Sequence, residues 1–270
     1  MIAAIVGLCI IASIASLCLG LASRKFAIKV DPKVEKVGEE LPGANCGGCG
    51  FAGCHDLAKA ACENPREASR CLLITEDSLQ KISGILACEL SPEEKKVAVV
   101  HCRGGETQTM RKYDFDGVSD CIAAALVWEG PKMCQEGCLG FGTCVSACPF
   151  GAISMNDNYL PVIHVERCTG CRACAKACPR GVIEIHPKSK EIHVCCHSHL
   201  KGAQLKKICK VGCIGCGRCE RACTFGAIHM KHNTASIDYA KCTNCGQCAL
   251  VCPTKCISLP ESALVLSCDQ

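Results

Sequence analysis

A chain of 270 residues is long enough for two or three small domains, yet it sets 31 cysteines against an aromatic content of only 4%. An ordinary large apolar core is excluded by that mixture, so something held by cysteine must take its place. The formal charge of +4 counts every thiol as neutral; five four-iron clusters on thiolate ligands would carry it to about −6, so the apparent basicity is no argument for nucleic acid. Lys and Arg form no stripe with aromatic platforms either.

Residues 2–22, "IAAIVGLCIIASIASLCLGLA", carry no charge and as a helix would span about 30 Å, the thickness of a bilayer core. The run is longer than the apolar part of a usual signal peptide and lacks a basic start. Leu17 before Cys18 is a poor lipoprotein cleavage site. We expect a single membrane anchor within 1–28. Arg24, Lys25 and Lys29 just beyond it would hold the bulk of the chain on the cytoplasmic side, where thiols stay reduced. Gly7, Ala12, Ser13, Ser16 and Gly20 suit close packing against other membrane helices, though a simple tether needs no such packing. The charged stretch 29–40 reads as a short linker into the first domain, 29–90.

That domain opens with "LPGANCGGCGFAGC". Its glycines allow the tight turns that bring thiolates and amide N–H groups around an anionic inorganic core. Cys46, Cys49, Cys54 and Cys71 supply four ligands; the spacing suits iron-sulfur, and four thiolates could also hold zinc. Residues 55–62 read as a short helix leading away. The connecting region 91–133 offers "AVVHCRGG" as a strand into a turn and "VSDCIAAALVWEG" as a short helix. Its Cys102 and Cys121, like Cys88 before them, read as buried core cysteines or as flanks of a redox centre.

From Cys134 the chain repeats itself. The regular runs are Cys168, Cys171, Cys174, Cys178 followed by Pro179; Cys213, Cys216, Cys219, Cys223; and Cys242, Cys245, Cys248, Cys252 followed by Pro253. An irregular one is Cys134, Cys138, Cys144, Cys148. Three close cysteines and a remote fourth is the run of bacterial two-cluster ferredoxins, in which the fourth cysteine serves the other cluster. This also argues against a secreted disulfide scaffold, in which thiols so dense would pair promiscuously. We therefore expect two ferredoxin-like modules, 134–190 and 209–270, joined by a linker 191–208. Crossing would give the sets Cys134, Cys138, Cys144, Cys178; Cys168, Cys171, Cys174, Cys148; Cys213, Cys216, Cys219, Cys252; and Cys242, Cys245, Cys248, Cys223. With the first domain this makes five 4Fe-4S clusters in an α+β chain, bound through iron by the cysteines named. Cys209 is an alternative to Cys213 as ligand, Cys256 and Cys268 read as bystanders, and His193, His197 and His199 as part of a surface connector.

Clusters fully ligated by thiolate leave no open position for substrate, so one-electron transfer is their expected work. No dinucleotide-binding glycine fingerprint follows a strand, and no flavin fold is evident. The chain thus carries no catalytic residue and no complete substrate site; it must receive electrons from one partner and hand them to another.

The order of elements, an apolar helix, then "LPGANCGGCGFAGC" with Cys71, then modules containing "GCLGFGTCVSACPFGAI" and "CPTKCISL", resembles the B subunits of the Rnf complex, the ion-translocating ferredoxin:NAD oxidoreductase. The resemblance covers essentially the whole chain and matches Cys46, Cys49, Cys54 and Cys71 to the family's N-terminal motif. It implies ferredoxin as electron donor, flavin-bearing and membrane-spanning subunits as partners, and a bacterial or archaeal cell membrane as location. Two ferredoxin modules exceed the one found in shorter members. A polyferredoxin subunit of another membrane assembly, such as a hydrogenase, is the competing reading, and an iron-sulfur scaffold or regulatory protein a third. "KGAQLKK" at 201–207 is a candidate docking patch for an acidic ferredoxin, although such runs are more often solvated faces.

Overall fold

The computed structural model describes residues 2–25, 31–92 and 94–259; Cys268 and Lys29 lie outside them. Helix α1 (Ile2–Lys25) comes first. Its Val6, Ile10, Ile14, Leu17, Leu19 and Leu21 are all exposed, and a Cβ on Gly7 or Gly20 would meet nothing within 4 Å. Among the described residues no helix is long and apolar enough to cross a membrane; the side chains of residues 2–5, 8, 11 and 24 lie outside the described set.

The stretch expected as a linker is mostly helical. Asp31 accepts the Lys33 amide at 2.9 Å and Pro32 takes the first helical position, a combination that starts helices well. The result is α2 (Pro32–Glu40), which turns Val34 and Val37 inward. They meet Leu57, Ala58 and Ala61 of α3 (Cys54–Glu63) and Leu79 and Ile82 of α4 (Glu76–Leu86). Three short amphipathic helices therefore share one apolar core, each buried Val, Leu or Ile contributing roughly 1.5–3 kcal/mol. Thr75 caps α4 by accepting the Ser78 amide at 3.2 Å.

Strand β1 (Lys96–Val100) follows, then α5 (Cys121–Leu126). The latter is capped by Asp120, which accepts the amides of Ile122 and Ala123 at 2.8 and 2.9 Å. The first ferredoxin-like module holds α6 (Thr143–Ser146), β2 (Ile153–Met155), β3 (Pro161–Ile163), α7 (Ala173–Ala177) and β4 (Ile183–Pro187). β2 and β3 pair as an antiparallel hairpin. β1 pairs antiparallel with β4, Lys96 opposite Pro187 and Val100 opposite Ile183. The connecting region is thus woven into the module's sheet, with Ala98, Ile153, Val182 and Ile183 sharing its core.

After α8 (Gly202–Ile208) the second module repeats the pattern with α9 (Arg218–Ala222), β5 (Ile228–Lys231), β6 (Thr234–Ile237) and α10 (Gln247–Leu250), β5 and β6 forming its hairpin. The segment expected as an inter-module linker joins this core: Ile192 and Val194 are buried in it. Val194 bridges Ile257, and the Cys195 amide donates to the Cys256 carbonyl at 2.6 Å.

Candidate iron-sulfur sites

In the first domain the loop before α3 turns through left-handed glycines at 47 and 50. The Cys54 amide is fixed by donating to Asn45 Oδ1 at 2.8 Å. Cys71 ends the short 3-10 turn Pro65–Arg70 and comes to lie beside Cys49, Cys54 and Cys46. Burial lifts its thiol pKa, and those three neighbours lift it further. A thiolate set this crowded needs a cationic core, and four convergent sulfurs without carboxylate or imidazole suit soft iron-sulfur ligation. Cys62 packs on the apolar core instead.

The tips of two ligand loops touch. A Cβ on Gly48 would lie 3.1 Å from Cys171 Cβ, so the first domain's loop rests directly on the loop of the Cys168 run. That second loop in turn sits on β1: a Cβ on Gly170, whose φ is +68°, would meet the Lys96 carbonyl oxygen at 2.6 Å. The Ala98 amide of β1 donates to Cys168 Sγ at 3.4 Å.

Within the first module Cys174 has Cys168 and Cys171 as thiol neighbours, and burial first, then their charge, raises its pKa to about 11. Cys148, whose sulfur accepts the Ala152 amide at 3.4 Å, packs in the same core. Cys178, from the end of the second run, lies beside Cys144 of the first, and so does Cys121. Burial pushes Cys138 up to about 12, with Cys102 and Cys121 adding to it. The structure thus gathers Cys121, Cys138, Cys144 and Cys178, whereas Cys134 has Cys209 as its thiol neighbour. Cys121 is placed by its helix cap: its amide donates to Thr143 Oγ1 at 2.7 Å, and that hydroxyl donates to Asp120 at 2.8 Å, tying α5 to α6.

The second module holds two cavities of similar size. One is lined by Cys213, Cys216, Cys219 and Cys252. Another is lined by Cys223, Cys242, Cys245 and Cys248. Each therefore takes its fourth cysteine from the other run. The Cys223 sulfur accepts the Ala227 amide at 3.3 Å, repeating the bond between Ala152 and Cys148. Cys213 occupies its own cavity, and Cys209 does not replace it. Cys256 is no bystander: it is fully buried with its sulfur 3.6 Å from Cys252 Sγ. Hydrogen bonding from Cys256 draws Cys252 down to about 5 and Cys213 to about 6, and Cys256 itself is pushed up. Its position four residues after Cys252, where Ala152 and Ala227 follow their own cysteines, was the available sequence signal.

The imidazoles are not a surface connector throughout. His193 is buried, its Nδ1 at 2.8 Å from the Tyr239 hydroxyl and its ring stacked near His186 and His101. His101 and His186 meet at 3.0 Å through their Nε2 atoms, with Glu184 at 3.6 and 3.4 Å from them.

Comparison with known families agrees with this layout. Residues 41–73 match a family described as a putative Fe-S cluster, 138–152 and 161–184 match 4Fe-4S binding domains, and 212–256 match a 4Fe-4S dicluster domain. The B subunit of the ion-translocating oxidoreductase complex of Methanosarcina acetivorans is 42% identical over 89% of this chain and 91% of its own. The chain belongs to the B subunits of ion-translocating oxidoreductase complexes. Other members are the B subunit of the proton-translocating ferredoxin:NAD(+) oxidoreductase complex of Clostridium ljungdahlii, 43% identical over 91% of this chain and 87% of its own, and that of the Na(+)-translocating complex of Acetobacterium woodii, 38% identical over 89% and 72%. Each of these matches spans about nine-tenths of this chain.

Proposed function

We propose that this chain is the electron-transfer subunit of a membrane-bound, ion-translocating ferredoxin:NAD oxidoreductase, receiving electrons from reduced ferredoxin and relaying them toward flavin-bearing and membrane-spanning subunits. The carrying observation is the arrangement of thiol sets. In the second module two cavities are each lined by four cysteines drawn from both runs, and the first domain's loop touches the next ligand loop at Gly48 and Cys171. When bound, a 4Fe-4S cluster accepts and returns a single electron without taking substrate. The chain's own part is to hold the thiolates, shield them in apolar cores and aim amide N–H groups at their sulfurs, which sets potential. Twenty cysteines carry this role in our reading, with Cys121 standing beside Cys138, Cys144 and Cys178 where the spacing pointed to Cys134.

We assign α1 to the membrane. Support comes from the uncharged run 2–22 and from its described apolar side chains having no protein surface to cover them. The bulk of the chain then lies on the cytoplasmic side.

The test is reduction of the full-length, cluster-loaded protein by reduced ferredoxin, followed by bleaching of the visible cluster absorbance. Bleaching at a rate competent for turnover is expected. Failure to reduce it, or a protein holding zinc with little acid-labile sulfide, would sink the electron-relay reading.

A further inference from the structure

A third thiol-lined cavity lies where the two modules meet, and its cysteines fall outside every matched family segment. It is bordered by Cys102, Cys134, Cys195, Cys196 and Cys209, with about 350 Å³ of empty space partly open to solvent, comparable to the two ferredoxin cavities of the second module. Its cysteines come from segments far apart in sequence. The first is carried by the turn after β1, the second follows the bridge between Arg111 and Lys132, and Cys209 bridges Thr109. Cys196 lies just past the bridge of Val194 to Ile257.

The sulfurs converge. A Cβ on Gly104 would be 3.4 Å from Cys209 Sγ and 3.7 Å from Cys102 Sγ, and one on Gly137 would be 3.2 Å from Cys134 Sγ and 3.7 Å from Cys102 Sγ. Cys102 and Cys209 thus border one common point, and Cys102 and Cys134 another. They also receive amides as ligand sulfurs do: the Cys138 N–H donates to Cys102 Sγ at 3.3 Å, and the amides of Cys213 and Ser198 face Cys196. Cys195 differs, its Sγ lying 3.8 Å from the His193 carbonyl.

An independent observation asks for negative charge here. Lys132, only 2% exposed, lines this cavity and donates to the Gly104 carbonyl at 3.0 Å. Among the described residues no carboxylate pairs with it. A buried ammonium with a carbonyl alone is costly; a cluster on four thiolates is a dianion when oxidised and would balance it.

We propose that Cys102, Cys134, Cys196 and Cys209 hold a further 4Fe-4S cluster at the junction of the two modules. Binding releases the four thiol protons and forms four iron-sulfur bonds. The site joins neighbours on both sides, since Cys102 touches Cys138 and Cys196 lies against Cys213. The assignment also explains why Cys121 stands with Cys138, Cys144 and Cys178: Cys134 is engaged elsewhere. It rests on the reading that the other thiol sets hold clusters.

The test counts iron and acid-labile sulfide per full-length chain, purified anaerobically, alongside paramagnetic resonance of the reduced protein. With five other clusters the wild type should hold about 24 irons. Cys209→Ser and Cys196→Ser should each lose about four irons and one set of resonances while the remaining resonances persist, and Cys195→Ser should lose none. About 20 irons in the wild type overturns the proposal without recourse to any variant, even if the serine variants fail to fold. So does an iron content that Cys209→Ser leaves unchanged. Both outcomes leave the electron-relay reading standing, whereas zinc in place of iron would remove that reading first.

Discussion

Single residues decide how these sites behave. Cys178 stands beside Cys144 rather than within its own run, so Cys178→Ala should abolish the resonances of the Cys138 and Cys144 site and spare those of the Cys168, Cys171 and Cys174 site. The reverse loss would overturn the crossed ligation. Cys256 leans on the Cys252 and Cys213 sulfurs, and hydrogen bonds to cluster sulfurs raise potential. Cys256→Ala should therefore keep the iron count and make that site's potential more negative in a redox titration. His193 is held neutral, its pKa lowered to about 4 by burial first and by His186 and His101 next; Tyr239 completes its surroundings. Because the unfolded chain binds a proton there that the folded one refuses, stability falls as pH drops from about 6.5 toward 4, by up to about 3 kcal/mol. His193→Gln should flatten the slope of denaturation midpoint between pH 7 and 5; an unchanged slope would place the dependence on other groups.

Elements show where sequence reading succeeds. The ferredoxin runs were legible because each places three ligands in one loop and helix start, a local pattern. The placements of Cys102, Cys196 and Cys209 were not, because strand pairing and isolated bridges position them over long separations, nor was that of Cys121, which the Asp120 and Thr143 cap carries to α6. β2, β4 and β5 follow Cys148, Cys178 and Cys223 within short apolar phrases, whereas β1 was hidden as a partner of β4. The charged stretch 29–40 concealed α2, since two valines at helical spacing are a weak signal beside seven charges. Its burial makes the first domain a three-helix unit in which the Thr75 cap matters: Thr75→Ala should cost about 1 kcal/mol, measurable in urea. Gly48→Val acts on the contact between elements instead. Its branched side chain would strike Cys171 and Leu72, and overpacking of this kind costs roughly 1–3 kcal/mol. The expected result is slower transfer from the first domain to the modules, with the iron count preserved; transfer at the wild-type rate would show that this contact is not the path.

At the scale of the whole molecule the chain is a series of small thiol-lined cores laid end to end behind a helix whose described apolar side chains lie exposed. Elsewhere a domain of this size would depend on aromatic packing; here most large apolar side chains do no more than close the shells around the cysteines. Removing the clusters should consequently loosen both modules while the three-helix first domain keeps most of its helical signal in far-ultraviolet circular dichroism, because Val37, Leu57, Leu79 and Ile82 pack on one another there.

The pairing of β1 with β4 bears on how the protein can be cut. A fragment begun at Cys134, where the repeats start, leaves Ile183–Pro187 with its hydrogen-bonding edge bare, and bare apolar edges recruit other strands. Such a piece is expected to aggregate, whereas one begun at Asp31 carries its own partner strand and should stay dispersed in size-exclusion chromatography. The repeat boundary visible in the letters is not a seam in the folded chain.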